Sequence, residues 1–381
     1  MEATSRRHDL DFIRVAAFML LIVYHVSLMY NSRGFLLKAP DSSPIFDIVH
    51  LWTHPWRMSL LFLISGVVTG ILLTRQTPEV LRKARTRQLL VPLLVGMLFL
   101  IPPQMYVCLN TSLGVDISLR EVFWHYLTLT PIPLPDGREV NLFWMQHLWY
   151  LAYLWTYTAI LTLVVSAWPK LLPLAGDRLT PRLAGKWVLI FPAILFILLR
   201  LALRPAFPPT LNILTDWYSH SIYLMSFLLG VVMAMRSEYW EAVIDARKPA
   251  LILALGCAVL LTMLFPGLPA GEPDMWQAFA GRVLAGTFQW CAIVAILGYA
   301  KIWLNSENAV VRYLNRAVLT YYVLHQTVML VIAYWLREFG LMSASSFIPI
   351  VVATLAVCAL CYELKRRLEI SWKARIRAGI A

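Results

Sequence analysis

Residues His8 to Tyr30 read HDLDFIRVAAFMLLIVYHVSLMY. The run is long enough to cross a bilayer, since a spanning helix needs about 20 mainly apolar residues. Yet it carries three ionisable side chains, Asp11, Arg14 and His25. A helix turns about 100° and rises about 1.5 Å per residue. Arg14 and His25 therefore share one face, about 16 Å apart along the axis, with Asp11 one turn before Arg14. If the chain enters from the cytoplasm, Asp11 and Arg14 sit at the inner mouth and His25 lies about 20 Å deep. An ionisable group at that depth must face protein or water, which makes His25 a candidate functional residue. Neutral imidazole accepts a proton near pH 7 and suits a general base. Plainer readings stand beside these. Arg14 can snorkel to lipid phosphates with Asp11 as its partner, and His25 can be a hydrogen-bonded structural histidine.

The rest of the chain repeats the apolar pattern. Its 381 residues are 60% hydrophobic and only 14% charged, against about 25% charged in an ordinary soluble domain. Apolar blocks predict about ten spanning helices, near 11–30, 58–74, 88–107, 147–168, 187–203, 219–235, 249–265, 279–303, 317–336 and 346–363. The expected class is an all-α polytopic helix bundle. No loop has the length of a separate soluble domain, so residues 1–381 are expected to form one integral membrane domain with a cytoplasmic tail from about 365. The net charge of +12 does not point to nucleic acid. About two-thirds of the basic residues fall in the tails and in alternate loops, the positive-inside pattern. That pattern predicts both termini in the cytoplasm and contact with anionic lipid headgroups. The basic pair in SRRHDL faintly resembles a targeting signal, but no small-residue cleavage site follows, so the first helix is expected to be retained. Cys108, Cys257, Cys291, Cys358 and Cys361 form no zinc pattern and are expected to pack as small apolar residues. No metal site is expected.

Three further groups of residues invite chemistry. FDIVHLWTHPWRMSLLFLISG places His50, His54 and Arg57 at the outer entrance of the second helix. RQTPEVLRKARTRQLLVP sets Arg82, Lys83, Arg85 and Arg87 in a dense basic turn before the third. That turn is either topogenic or a cradle for an anion, because Arg offers paired donors to phosphate. TYYVLHQTVM adds His325 in a later helix. Trp52, Trp56, Trp124, Trp144, Trp149 and Trp217 gather toward the outer side. They read first as an interfacial belt and second as stacking surfaces for a sugar.

Taken in order, these motifs resemble the membrane acyltransferase type 3 family. The resemblance rests on Arg14 and His25 in the first helix, Arg82 and Arg85 before QLLVP, and FLISG at 62–66. QHLWYL at 146–151 and TYYVLH at 320–325 complete the set. LDFIRVAAFMLLIVYHVSLMY, the second-helix segment and the CYELKRRL ending are similar to the branch that succinylates osmoregulated periplasmic glucans. The resemblance implies a multi-pass enzyme of the cell inner membrane. It would move an acyl group, succinyl or acetyl, from cytoplasmic acyl-CoA to a hydroxyl of an extracytoplasmic glycan. Acyl-CoA enters as co-substrate, with no bound cofactor. By that resemblance His25 is the catalytic base, and Arg14, Arg82 and Arg85 hold the donor. Asp11, Arg57 and His325 orient groups or touch substrate. If the donor is succinyl-CoA, its carboxylate needs a partner in the bilayer, and Arg57, expected near the depth of His25, is the candidate; the plainer reading is that Arg57 snorkels outward or binds the glycan. An O-acetyltransferase of another surface polysaccharide or small molecule fits the same residues. So do a transporter of a glycan or lipid carrier, with His25 in a proton relay, and a non-catalytic scaffold of glycan assembly.

Overall fold

A computed structural model describes residues 7–265 and 273–377, with side chains as far as Trp372. Arg6, Lys373, Arg375 and Arg377, counted above in the charge pattern, and residues 378–381 of the expected tail lie outside the described side chains or residues. The chain is almost wholly helical. In order come α1 (His8–Ser27), α2 (Pro44–Leu73), α3 (Pro78–Phe99), α4 (Ile101–Thr111) and α5 (Leu119–Thr128). A short antiparallel pair follows, β1 (Ile132–Pro133) and β2 (Glu139–Val140). Then come α6 (Trp149–Ala167), α7 (Leu171–Leu183), α8 (Trp187–Leu203) and α9 (Trp217–Met233). The last four are α10 (Glu238–Leu264), α11 (Met275–Trp303), α12 (Ala309–Glu338) and α13 (Phe347–Arg377).

All ten expected segments are helical. Among the described residues, eight helices are long and apolar enough to cross a membrane, or nine if α7 and α8, bent by 102°, count as one broken span. α9 is apolar but has 17 residues. Two boundaries differ from expectation, and one loop holds an extra helix. α2 begins at Pro44, so His50, His54 and Arg57 lie within the helix rather than at its entrance. α13 runs on to Arg377, so the expected tail continues the last helix. Basic and apolar residues alternate there without a breaker, which lets the helix outrun its apolar stretch. The loop after α4 holds α5, whose capping box joins Ser118 and Glu121. The Ser118 bonds also hold the exposed Glu121 carboxyl below its ordinary range.

The chain forms two compact units. The first takes the described residues of Met1–Ala17, Asp47–Leu93 and Trp149–Val311; the second takes Phe18–Phe46, Leu94–Leu148 and the described residues of Arg312–Ala381. In the first unit, α2 and α9 meet backbone to backbone. A Cβ at Gly66 would strike the Phe227 carbonyl, and one at Gly230 the Leu63 carbonyl. Small residues permit this approach, and in an apolar medium close packing is a main source of helix association. This gives the glycine of FLISG a physical reason. The same unit clasps the start of α1. Arg7 donates to the buried Asp9 from Nε at 2.8 Å and lies 3.8 Å over the Trp240 ring.

The second unit packs Val26, Met29 and Tyr30 against Met329, Leu330, Ala333 and Ile350. Tyr30 and Ser346 share a hydroxyl hydrogen bond of 2.8 Å. Lys38 returns to the end of α1 and donates to the Leu28 carbonyl at 2.9 Å. A cation there satisfies carbonyls that a helix end leaves open. This fixes the last turn of α1, where His25 sits.

Candidate active site

In the second unit, α1 and α12 bring two histidines together. His25 Nδ1 lies 2.8 Å from His325 Nε2, and the rings stack at 5.0 Å. His25 is half-buried, whereas His325 is fully buried. The partners fix the tautomers. His325 Nδ1 lies 2.7 Å from the Tyr322 carbonyl oxygen and 3.2 Å from that of Tyr321. Carbonyl oxygens only accept, so Nδ1 carries the hydrogen. With both rings neutral, His325 Nε2 then holds a lone pair, and His25 Nδ1 must donate to it. The proton on His25 is thereby assigned to Nδ1, and the basic lone pair to Nε2. Third-group orientation of a histidine is how general bases are set in a working tautomer.

A third histidine supports the pair. His147 packs edge-on to His325 with ring centroids 5.1 Å apart. Its Nε2 donates to the Val323 carbonyl at 3.0 Å, which leaves Nδ1 to accept from Gln104 at 3.5 Å. Gln104 donates to Thr327 at 2.8 Å and accepts from Gln326 at 2.9 Å. Tyr322 donates its hydroxyl to the His147 carbonyl. Gln104, His147 and residues of the 322–327 segment, far apart in the chain, thus form one buried hydrogen-bonded layer. Such networks are rigid when their groups are satisfied. Just ahead of His147, Gln146 has a φ of 43°, a left-handed backbone uncommon for a residue with a side chain. Strain of this kind persists where the surroundings over-determine it, often near functional groups.

The first unit gathers arginines. Arg14 and Arg85 are within electrostatic reach of each other, and both act on the Tyr150 hydroxyl. Tyr150 shares a 2.8 Å hydrogen bond with Ser65. Arg85 spends one donor on Gln88 at 3.2 Å, while Arg14 makes no side-chain hydrogen bond to any described residue. Arg14 and Arg85 are thus two half-buried cations with unspent donors and neutral hydroxyls as neighbours, an arrangement with the capacity to pair with an anion. The neighbouring charges differ. Lys83 pairs with Glu79 at 2.9 Å, with both side chains exposed, and Arg82 acts on the same Glu79.

The family model described as an acyltransferase domain, of the type 3 group, matches residues 7–363. The chain belongs to this family. It is similar over 376 residues, at 22% identity, to glucans biosynthesis protein C of Escherichia coli (strain K12), covering 96% of this chain and 93% of that one. The protein of the same name from Salmonella gallinarum (strain 287/91 / NCTC 13346) is 23% identical over 377 residues, with the same coverage. That of Shigella dysenteriae serotype 1 (strain Sd197) is 22% identical over 376 residues. No solved structure matches the chain. The protein is therefore a multi-pass membrane acyltransferase.

Of the residues singled out in the sequence, this acyltransferase joins His25 to His325 and groups Arg14 with Arg85. Among the described contacts, Arg82 is tied to Glu79 rather than to that pair. Arg57 is buried on α2, and Asp11 is half-buried in the first turn of α1. Sequence reasoning missed His147, Gln104, Tyr150 and the Tyr322 carbonyl. His147, Tyr150 and Tyr322 sit inside QHLWYL and TYYVLH, so the signal was present in the motifs but carried no role.

Proposed function

We propose that the protein moves an acyl group from cytoplasmic acyl-CoA to a hydroxyl of an extracytoplasmic glycan. The observation that carries this reading is the His25–His325 hydrogen bond at 2.8 Å, with its implied lone pair on His25 Nε2. In the proposed reaction His25 Nε2 takes the acceptor hydroxyl proton as that oxygen attacks the thioester carbonyl. The tetrahedral intermediate collapses with loss of the CoA thiolate, and the imidazolium returns the proton to the sulfur. His325 is the positioning residue that holds the tautomer. Asp11 is assigned to orienting Arg14, and Arg57 to a substrate contact.

Arg14 and Arg85 are proposed to bind the donor phosphates, with Arg82 contributing less. The eleven-residue step along α1 from Arg14 to His25 spans about 16 Å, similar to the reach of an extended pantetheine arm. A phosphorylated nucleotide is costly to bring into lipid, whereas a slim arm can carry the thioester inward. The relatives' name, glucans biosynthesis protein C, supports a glucan acceptor. The basic loops support both termini in the cytoplasm, and a cytoplasmic acyl-CoA donor fits a location in the inner membrane. The family match spans residues 7–363, which supports reading both units as one acyltransferase domain. Turnover of succinyl-CoA and acetyl-CoA by purified protein, with and without a glucan acceptor, tests the reading. Acceptor-dependent release of CoA is expected. Vectorial glycan movement without CoA release would make the protein a transporter, and neither activity would leave a scaffold.

A further inference from the structure

The first unit holds an arginine that this mechanism does not use. Arg200, near the end of α8, is only 6% exposed. It donates from one terminal nitrogen to the Tyr218 hydroxyl at 2.8 Å and from the other to Gln289 Oε1. Gln289, at the middle of α11, in turn donates to Ser59 at 2.9 Å. Every one of these partners is neutral. Among the described residues no carboxylate pairs with Arg200. The buried acid Asp216, two residues before Tyr218 in the chain, already accepts from the backbone of Thr210, Leu211 and Ser219 at 2.7 Å each. Arg204, one turn on, adds a second positive charge within electrostatic reach.

A guanidinium has five N–H donors. Two are engaged here, and the Nε–H is buried without a hydrogen-bond partner. The surroundings are apolar, with Phe196 one turn before Arg200 and Trp290 beside Gln289 packed in one cluster. A buried charge without a counter-charge is costly, and neutral dipoles offset only part of that cost. Side chains that merely fill the space would serve stability better. An anion that arrives as a ligand gives the charge a purpose.

We propose that Arg200, held by Tyr218 and Gln289, is a binding site for an aliphatic carboxylate. The remaining N–H donors of the guanidinium fork match a carboxylate in planar, bidentate geometry, and one charge neutralises one charge. The ligand is either a free dicarboxylate or the outer end of a dicarboxylic acyl chain. The second source rests on the proposed acyl transfer; binding itself does not.

The test is thermal unfolding of the full chain in detergent, titrated with succinate, acetate, phosphate or chloride at fixed ionic strength. Wild type is expected to be stabilised saturably by the carboxylates and much less by chloride or phosphate. Arg200→Met should unfold at or above the wild-type temperature without ligand, because an uncompensated charge has gone, and should no longer respond to succinate. Tyr218→Phe, which keeps the charge, should respond with about tenfold weaker apparent affinity, and it decides the matter if Arg200→Met does not fold. An equal response in Arg200→Met, no response in wild type, an unchanged response in Tyr218→Phe, or equal stabilisation by chloride and phosphate would overturn the proposal. So would loss of the response in Arg57→Ala with retention in Arg200→Met. Succinyl-CoA and acetyl-CoA separate the two sources. Stronger protection by succinyl-CoA, lost in Arg200→Met, assigns the site to the acyl chain. Protection by free succinate, with equal effects of the two thioesters, assigns it to a dicarboxylate even if no transfer is found.

Discussion

The arginine group of the first unit and the histidine layer of the second are built on opposite principles. Around His325 nearly every polar atom has a partner: carbonyls for His325 and His147, and a chain of amides and a hydroxyl through Gln104, Gln326 and Thr327. Around Arg14 and Arg85 two like charges stand close with donors to spare. A base must hold one tautomer in one orientation, so its neighbours are complete before substrate arrives. A binding cluster must keep donors in reserve for its ligand, and it bears repulsion until the ligand comes. On the proposed reading, saturation separates the residues assigned to chemistry from those assigned to holding the donor.

The contrast can be broken most directly at His25. His25→Ala is expected to lower acyl transfer by about 10²–10⁴-fold, the usual contribution of a general base, while the protein still elutes as a folded species. Wild-type rates in folded variant protein would remove His25 from the chemistry.

Next comes His325. His325→Leu leaves His25 Nδ1 without its acceptor and should cost about 10- to 100-fold in kcat, the scale on which orienting partners of a histidine act. His325→Gln offers an amide oxygen in place of Nε2 and should recover part of the rate. Equal losses in the two variants would mean that His325 serves packing alone. Donor affinity should be unchanged in both.

The arginines should show the reverse pattern. Arg14→Ala and Arg85→Ala are each expected to weaken acyl-CoA binding about tenfold or more, since a hydrogen bond to a charged group contributes about 1.5–3 kcal/mol. Equilibrium binding of acyl-CoA to purified variants measures this. A fall in kcat with unchanged affinity would place these residues with the base instead. Arg85→Lys should retain only part of the affinity, because an ammonium does not reproduce the planar fork.

The smallest effect is expected at Lys83. Its charge is spent on Glu79 across one exposed helical turn, and such pairs contribute little. Lys83→Ala should leave donor binding within about twofold of wild type. A loss as large as that of Arg85→Ala would extend the binding cluster to the whole basic turn.

The sequence by itself located the apolar helices, because lipid demands long apolar segments and their signal is local, while the structure set how many of them are long enough to span. It also determined that Arg14 and His25 share a face, since helical periodicity needs only their spacing, and it showed the basic turn from Arg82 to Arg87. Tertiary structure alone decided which histidine is hydrogen-bonded to His25. The bond from α1 to α12 crosses 300 residues, and no periodicity carries information over that distance. The same holds for His147, Tyr150, and Arg200 with its partners Tyr218 and Gln289. Each reads in sequence as an ordinary residue near or within an apolar helix, and its role comes from neighbours supplied by other helices. Even the glycine of FLISG gained its meaning from the Phe227 carbonyl, which a Cβ would strike. Apolar patterning decides where a helix runs, whereas hydrogen bonds and charges between distant helices decide what its polar residues do.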